Sequence, residues 1–247
     1  MKPYIACLML TSPDGSLHPS RWTKSPDGDR SDFSKLCEKV REGLQCQAWM
    51  VGRVTMAEMS KAGPHTPAGP YNVERPSHFA NREAKSFGIA LDRSGAVHYK
   101  SAELFGDHII ALLGKDVPDS YLAELIGDGV SYLVAEKTDF DVGEMLAVLN
   151  TELGISRIVL EGGAATNGTL LASGLVDELN FIVAPALEAR SGTDSVVEFG
   201  TEGLAGKVEL SLIECQQLGH GTVNLRYAAT QSLGTDVAAA GVIRGGR

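Results

Sequence analysis

The fold is decided by the stretch Ile158-Val159-Leu160-Glu161-Gly162-Gly163-Ala164-Ala165-Thr166-Asn167-Gly168. An apolar strand pattern runs into paired glycines, and a short helical pattern follows them. Glycine lets a backbone approach a phosphate closely, and a helix N-terminus offers free N–H groups at the positive end of its dipole. The spacing is neither G-x-G-x-x-G nor a Walker A loop. The stretch predicts either a pyrophosphate site or a glycine turn needed only for close packing of helix on strand.

A second strand also meets a helix at a glycine, in Val51-Gly52-Arg53-Val54-Thr55. Arg53 and Thr55 stand at the positive end of the predicted helix. A guanidinium beside those amides would suit a phosphate monoester such as the 2′-phosphate of NADP. The alternative is a surface arginine and an ordinary threonine in the first helical turn.

Outward from these junctions, strand patterns alternate with helical patterns along the chain. The predicted strands are Tyr4–Leu10, Ala48–Val51, Ile89–Asp92, His108–Leu113, Val130–Ala135, Arg157–Leu160 and Glu178–Ala184. The predicted helices begin after Ser31 as N-cap, after Gly52, at Asp119, after a cap at Asp141, and at Thr166. Alternation of this kind indicates an α/β fold, with a mostly parallel central sheet and helices on both of its faces.

The chain ends in a different pattern. Lys207–Leu218 and Thr222–Ala229 flank Gly219-His220-Gly221, which predicts a C-terminal antiparallel hairpin. We expect residues 1–230 to form a single domain. Residues 231–247 are expected to be a flexible tail or an oligomer contact.

Composition excludes several classes of protein. The net charge of −9, from 31 acidic against 22 basic residues, disfavours nucleic acid as a partner. We find no apolar run long enough for a signal peptide or a membrane span, so a cytoplasmic protein is expected. The four cysteines form no C-x-x-C pair, and Cys7 and Cys37 are interpreted as inert core thiols. The six histidines show no metal spacing, so no metal is predicted and those in loops, His65 among them, are taken as surface residues.

Four further polar or aromatic side chains are candidates for a site. Asp14 lies in a turn after the first strand, where ligands collect in open α/β sheets, although Pro-Asp-Gly is also a common turn. Ser20 and Trp22 lie in a loop, where the indole could stack on a flat ring or cover the edge of the core. Glu161 ends an apolar strand and is expected at a rim or cleft, where it could hydrogen-bond a pyrimidine edge.

These motifs, taken in order along the chain, resemble a known family. They are a strand and Asp-Gly turn, Ser-x-Trp, Val-Gly-Arg-x-Thr, Glu-Gly-Gly-(x)₄-Gly, then Gly174-Leu175-Val176-Asp177-Glu178-Leu179 and Ala184-Pro185. The pattern is similar to the C-terminal reductase domain of the bifunctional deaminase–reductase of riboflavin biosynthesis, over about residues 3–230. That resemblance implies a dihydrofolate-reductase-like fold and a homodimer.

The resemblance also implies a reaction and a set of site residues. NADPH would reduce the ribose of a 5-amino-6-(5-phosphoribosylamino)uracil, a small-molecule substrate, to a ribityl chain. Asp14 and Glu161 would be catalytic, and Ser20, Trp22 and Glu161 would contact the substrate. Cofactor contacts would come from Trp22, Gly52, Arg53, Thr55, Gly162, Gly163, Ala164, Ala165, Thr166, Asn167, Gly168 and Thr169.

Some positions depart from the family pattern, and they keep other functions open. The zinc signature of the deaminase half is absent, so we expect a stand-alone reductase. Members of the family usually carry an arginine for the substrate phosphate late in the first helix. In this chain Gly43 stands at the aligned position and Arg41 lies nearby. The stretch Met56-Ala57-Glu58-Met59 replaces the Asp-Asp-Pro stretch that is usual after the threonine motif. Alternatives are an NADPH reductase of the same fold acting on a pterin or dihydrofolate, or a non-catalytic dinucleotide-binding module.

Overall fold

The computed structural model describes residues 1–67, 69, 71–193 and 195–232. Its described residues divide into two compact units. The first unit comprises Met1–Pro3 and Gln47–Ile158, and the second comprises 4–46 and 159–232. Of the predicted tail, residues 231–247, Gln231 instead belongs to the last strand, and residues 233–247 lie outside the described residues. The single domain over residues 1–230 stays a prediction.

The first unit is built on four parallel strands. These are β2 (Ala48–Gly52), β4 (Phe87–Asp92), β6 (Asp107–Leu113) and β7 (Ser131–Val134), paired in that order. The first two are buried along their whole length, which is typical of parallel strands covered on both faces. Two short antiparallel strands, β3 (Ser77–His78) and β5 (Glu103–Leu104), pair with β7 and β6 and were not predicted from the sequence.

Three helices complete the first unit: α2 (Arg53–Ser60), α3 (Asp119–Gly127) and α4 (Val142–Leu153). The predicted cap of α4 is confirmed, because the Asp141 carboxylate accepts a hydrogen bond from the Glu144 amide. Residues 61–76 contain no helix or strand in their described part.

The second unit combines parallel and antiparallel pairs. Strand β1 (Tyr4–Thr11) runs parallel to β9 (Glu178–Val183), and β9 pairs antiparallel with β11 (Thr222–Gln231). Strand β10 (Val208–Gly219) pairs antiparallel with β11, which confirms the C-terminal hairpin. The division between the units falls within β8 (Arg157–Leu160). The α/β class with mostly parallel pairing is confirmed.

The helices of the second unit are α1 (Arg30–Gly43) and α5 (Ala164–Ala172), with a 3₁₀ turn at Pro19–Arg21. The predicted cap of α1 at Ser31 is wrong. Asp29 is the N-cap, and it forms a capping box with Asp32. The Asp29 carboxylate accepts hydrogen bonds from the amides of Ser31 and Asp32. Ser31 lies inside the first turn of the helix, so it does not occupy the capping position.

Candidate active site

The junction between β8 and α5 has the backbone that the glycines predict. Gly162 has a φ of +102°, a conformation that side-chain-bearing residues rarely adopt. Gly163 is the N-cap of α5, and no side chain caps the helix. The first amides of α5 are therefore left for water or for a ligand, which is the arrangement that binds anions.

The body of α5 is fixed by the segment around Val196–Glu198. Asn167 is fully buried, and its Nδ2 donates to the Val196 carbonyl over 2.8 Å. The Glu198 amide donates to the Ala164 carbonyl over 3.0 Å. A Cβ on Gly168 would stand 2.0 Å from the Glu198 carbonyl oxygen, so only glycine fits there. Asn167 and Gly168 thus have packing roles in the structure, and their contact with a cofactor stays a prediction.

Glu161 lies beside α1. Its Oε1 is 2.9 Å from Arg41 Nε without hydrogen-bond alignment, so the contact is an ion pair, and both side chains are partly exposed. Burial, and then the negative charge of Glu161, raises the pKa of the Cys7 thiol to about 12. Burial and the charge of Glu161 are also the two largest causes that raise the pKa of the Cys37 thiol to about 12. Both thiols therefore hold their protons more firmly than a free cysteine does. Cys7 is buried, as predicted for a core thiol, whereas Cys37 is only partly buried.

Asp14 is held by the turn that follows β1 and by residues after β9. Its Oδ1 accepts from Ser12 Oγ over 2.5 Å, and its Oδ2 accepts from the amides of Glu188 and Ala189 over 3.1 and 2.6 Å. Hydrogen bonds from Ser12 and then Ala189 lower the pKa of this exposed carboxyl. Asp14 therefore joins two loops, and its predicted catalytic role is untested.

Glu188 is a buried carboxylate that sequence reasoning did not single out. Its side chain is 0% exposed, accepts a hydrogen bond from Ser16 Oγ, and lies 3.6 Å from Arg21 Nη1. Ser16 Oγ in turn accepts from Trp22 Nε1 over 3.1 Å. Trp22 is thus oriented through Ser16 by Glu188, and its ring is also tilted against Phe33 at 6.5 Å between centroids. No local sequence pattern could have indicated this contact, because Ser16 and Glu188 are far apart in the sequence.

Ser20 is exposed and lines a groove of about 430 Å³ with residues at the start of α1. The other lining residues are Pro19, Asp29, Arg30, Ser31 and Ser34. The second unit thus contains four predicted site residues, Asp14, Ser20, Trp22 and Glu161, together with the predicted pyrophosphate site at the start of α5.

The second glycine junction belongs to the first unit. Gly52 is the N-cap of α2 in extended backbone, and again no side chain caps the helix. Arg53 is exposed, Thr55 is partly exposed, and Val54 is 60% exposed. An uncapped helix start with an exposed guanidinium fits the predicted phosphate contact, which nothing in the structure tests.

No helix in the described part of the chain is long and apolar enough to cross a lipid bilayer.

Comparison with known proteins gives one consistent result. The sequence profile of the RibD C-terminal domain matches residues 3–224. A 2,5-diamino-6-ribosylamino-4(3H)-pyrimidinone 5′-phosphate reductase from Methanothermobacter thermautotrophicus is 32% identical over 224 residues, covering 89% of this chain and 95% of the relative.

Two solved structures show the same fold. A pyrimidine reductase-like protein from Corynebacterium diphtheriae has a TM-score of 0.64 at 19% identity, and the match covers 93% of each chain. RibD from Acinetobacter baumannii has a TM-score of 0.59 at 19% identity, with 93% of this chain matching 58% of that chain.

Proposed function

Since this chain belongs to the RibD C-terminal domain family, we propose that it is an NADPH-dependent reductase of riboflavin biosynthesis. Its substrate would be a ribosylaminopyrimidine 5′-phosphate, of the kind named for its archaeal relative. The observation that carries the proposal is the uncapped α5 N-terminus behind Gly162 and Gly163. All four cysteines are free thiols, which fits a reducing cytoplasm.

Each of the two uncapped helix starts by itself fits a phosphate group. The uncapped amides at Gly163–Thr166 would hold a pyrophosphate, with Gly162 and Thr169 completing the proposed contacts. Arg53 and Thr55 at the uncapped start of α2 would hold the 2′-phosphate that distinguishes NADPH from NADH. NADPH supplies the hydride, and the protein's own contribution is to position donor and acceptor.

The substrate contacts would come from Glu161, Arg41, Ser20 and Trp22. The Glu161 carboxylate can accept hydrogen bonds from a pyrimidine edge, and its partner Arg41 is exposed enough to receive the substrate phosphate. Trp22 has its indole N–H occupied by Ser16, so its ring face is the part that can stack on a flat ligand. Asp14 would fix the loop that carries Ser20 and Trp22.

We also propose that the enzyme is a homodimer formed through β10. This strand lies at the edge of its sheet, and Leu210, Leu212 and Ile213 on it are exposed. An exposed apolar edge strand is a template for pairing with another chain. Leu212→Glu should convert a dimer to a monomer in light scattering, whereas an unchanged mass would contradict this interface.

The function is tested by substrate-dependent oxidation of NADPH. The purified enzyme should oxidise NADPH when the ribosylaminopyrimidine phosphate is added, and it should rescue a riboflavin-requiring strain that lacks the reductase. Turnover of dihydrofolate without rescue would favour the pterin alternative. NADPH binding without turnover of either compound would favour a non-catalytic module.

Variants at Glu161 sharpen that test. Glu161→Gln should lower kcat/KM for the pyrimidine substrate about 10- to 100-fold, because a charge-assisted hydrogen bond contributes about 1.5–3 kcal/mol. Its affinity for NADPH should stay unchanged. Glu38→Gln, which removes an exposed carboxylate from α1, is the matched control and should behave as wild type.

A further inference from the structure

Three acidic or imidazole side chains converge at the C-terminal end of α3. His65 from the loop after α2 places Nε2 2.9 Å from Asp128 Oδ1 and Nδ1 3.4 Å from Glu124 Oε1. One potential ligand atom from each of the three residues lies within 4.8 Å of the others. All three belong to the first unit, and none was assigned to cofactor or substrate.

The two carboxylates are sheltered from solvent. The side chains of Glu124 and Asp128 are 7% and 11% exposed, while that of His65 is 41% exposed. Asp128 Oδ2 is buried and has no hydrogen-bond partner among the described residues. Two carboxylates held together with one oxygen unsatisfied leave negative charge that a cation would neutralise.

A second histidine orients one of the carboxylates. His98 Nδ1 lies 2.6 Å from Glu124 Oε1, and the His98 ring packs edge-on against Tyr121 at 5.8 Å between centroids. A ligating carboxylate is commonly fixed by a hydrogen bond of this kind. The cluster therefore has three possible ligands and one positioning residue.

We propose that His65, Glu124 and Asp128 bind one divalent transition-metal ion of the zinc class. Zinc takes imidazole nitrogen and carboxylate oxygen at about 2.0–2.2 Å. One ring nitrogen of His65 and one oxygen of each acid, all within 4.8 Å of one another, would share the ion after rotation of the three side chains. Calcium and magnesium prefer oxygen-only ligand sets, which disfavours them beside an imidazole. The ion fastens the loop at His65 to the end of α3.

The alternative without a metal is a protonated His65 paired with both acids. The hydrogen bond to Asp128, followed by one to the Gly63 carbonyl, raises the pKa of His65. A proton on the imidazole competes with the ion for the same nitrogen, so binding should weaken as the pH falls. The two accounts differ in one measurable way: only the metal site takes up a stoichiometric ion at neutral pH.

The experiment uses tag-free, metal-stripped full chain carrying Cys215→Ser, because Cys215 is an exposed thiol. Calorimetric titration with Zn²⁺ should give one ion per chain, and Co²⁺ should show the visible absorption of a low-symmetry nitrogen and oxygen site. His98→Asn should weaken the affinity about 10- to 100-fold, since it removes the imidazole that positions Glu124 while leaving the three proposed ligands in place. His65→Asn should weaken it at least as much.

The matched control is His220→Asn, which removes an exposed imidazole at the β10–β11 turn. It should bind as wild type. Asp128→Asn, of nearly identical shape, replaces His65→Asn should the latter fail to fold. Absence of saturable binding by the wild type would overturn the proposal. So would equal binding by the wild type and the cluster variants, which would mean an adventitious ion elsewhere.

Discussion

The starts of α5 and α2 share one local plan but differ in what surrounds them. Each follows a buried strand, has a glycine N-cap in extended backbone, and lacks a side-chain cap. At α5 the helix is packed tightly, with Asn167 fully buried and Gly168 against the Glu198 carbonyl. At α2 the first two residues, Arg53 and Val54, are exposed.

This difference suggests a division of labour. A rigidly packed helix start holds its amides in a fixed direction, so a ligand pays little to organise them. An exposed arginine binds a phosphate more strongly than a hydroxyl because of its charge. Its mobile side chain holds the bound group in a less fixed position than the amides of a packed helix do. We therefore expect α5 to provide most of the affinity for NADPH and α2 to provide its preference over NADH.

The largest effect is expected from Gly163→Val. Gly163 has a φ of −62°, within the range open to residues with side chains, and the valine side chain is expected to obstruct the approach of a phosphate. NADPH affinity should fall more than about 100-fold, or about 2.7 kcal/mol. Fluorescence titration measures the affinity, and a wild-type urea midpoint shows that the fold is intact. Normal NADPH binding would remove the pyrophosphate assignment.

Arg53→Ala should separate the two junctions. Loss of a charge-assisted hydrogen bond of about 1.5–3 kcal/mol should weaken NADPH about 10- to 100-fold and leave NADH nearly unchanged. Parallel titrations with both nucleotides measure the difference. Equal losses for the two nucleotides would show that Arg53 does not read the 2′-phosphate.

Gly168→Ala tests whether the packing of α5 is as tight as its surroundings indicate. The added methyl meets the Glu198 carbonyl, so the unfolding free energy should fall by about 1–3 kcal/mol. Gly43→Ala, at the end of α1 with open space around its Cβ, is the control and should be neutral or slightly stabilising. If the two variants have the same urea midpoint, α5 is not rigidly held.

The smallest effect is expected at Asp14, which lies at neither junction. Its pKa is lowered in the folded state, so its contribution to stability is present above the unfolded pKa of about 3.9 and is lost as the pH falls through the folded value. Asp14→Asn should therefore lower the urea midpoint slightly at neutral pH, and the difference should vanish in acid. A loss of NADPH affinity as large as that of Gly163→Val would contradict the emphasis on the junctions.

Local patterns predicted most of the fold. The strand and helix periods, the Asp141 cap and the C-terminal hairpin depend on neighbouring residues, and the structure confirms them. The cap of α1 was misassigned because Ser31 and Asp29 are both good N-caps and the capping box decided between them. Strands β3 and β5 were missed because each has only two residues, which is too few to show an alternating pattern. Their pairing with β7 and β6 is a tertiary contact.

The site was less predictable for a related reason. The glycines and the helix starts are local signals, and the family resemblance they support is confirmed. The pairing of Arg41 with Glu161, the support of Trp22 by Glu188, and the cluster at His65 join residues far apart in sequence. No spacing rule in a single sequence shows such contacts.

A crystal structure of the protein with bound NADP⁺ would show where the nucleotide's phosphates lie. We expect pyrophosphate oxygens within hydrogen-bonding distance of the amides at the start of α5. A nucleotide whose phosphates make no contact with that helix start would contradict this expectation.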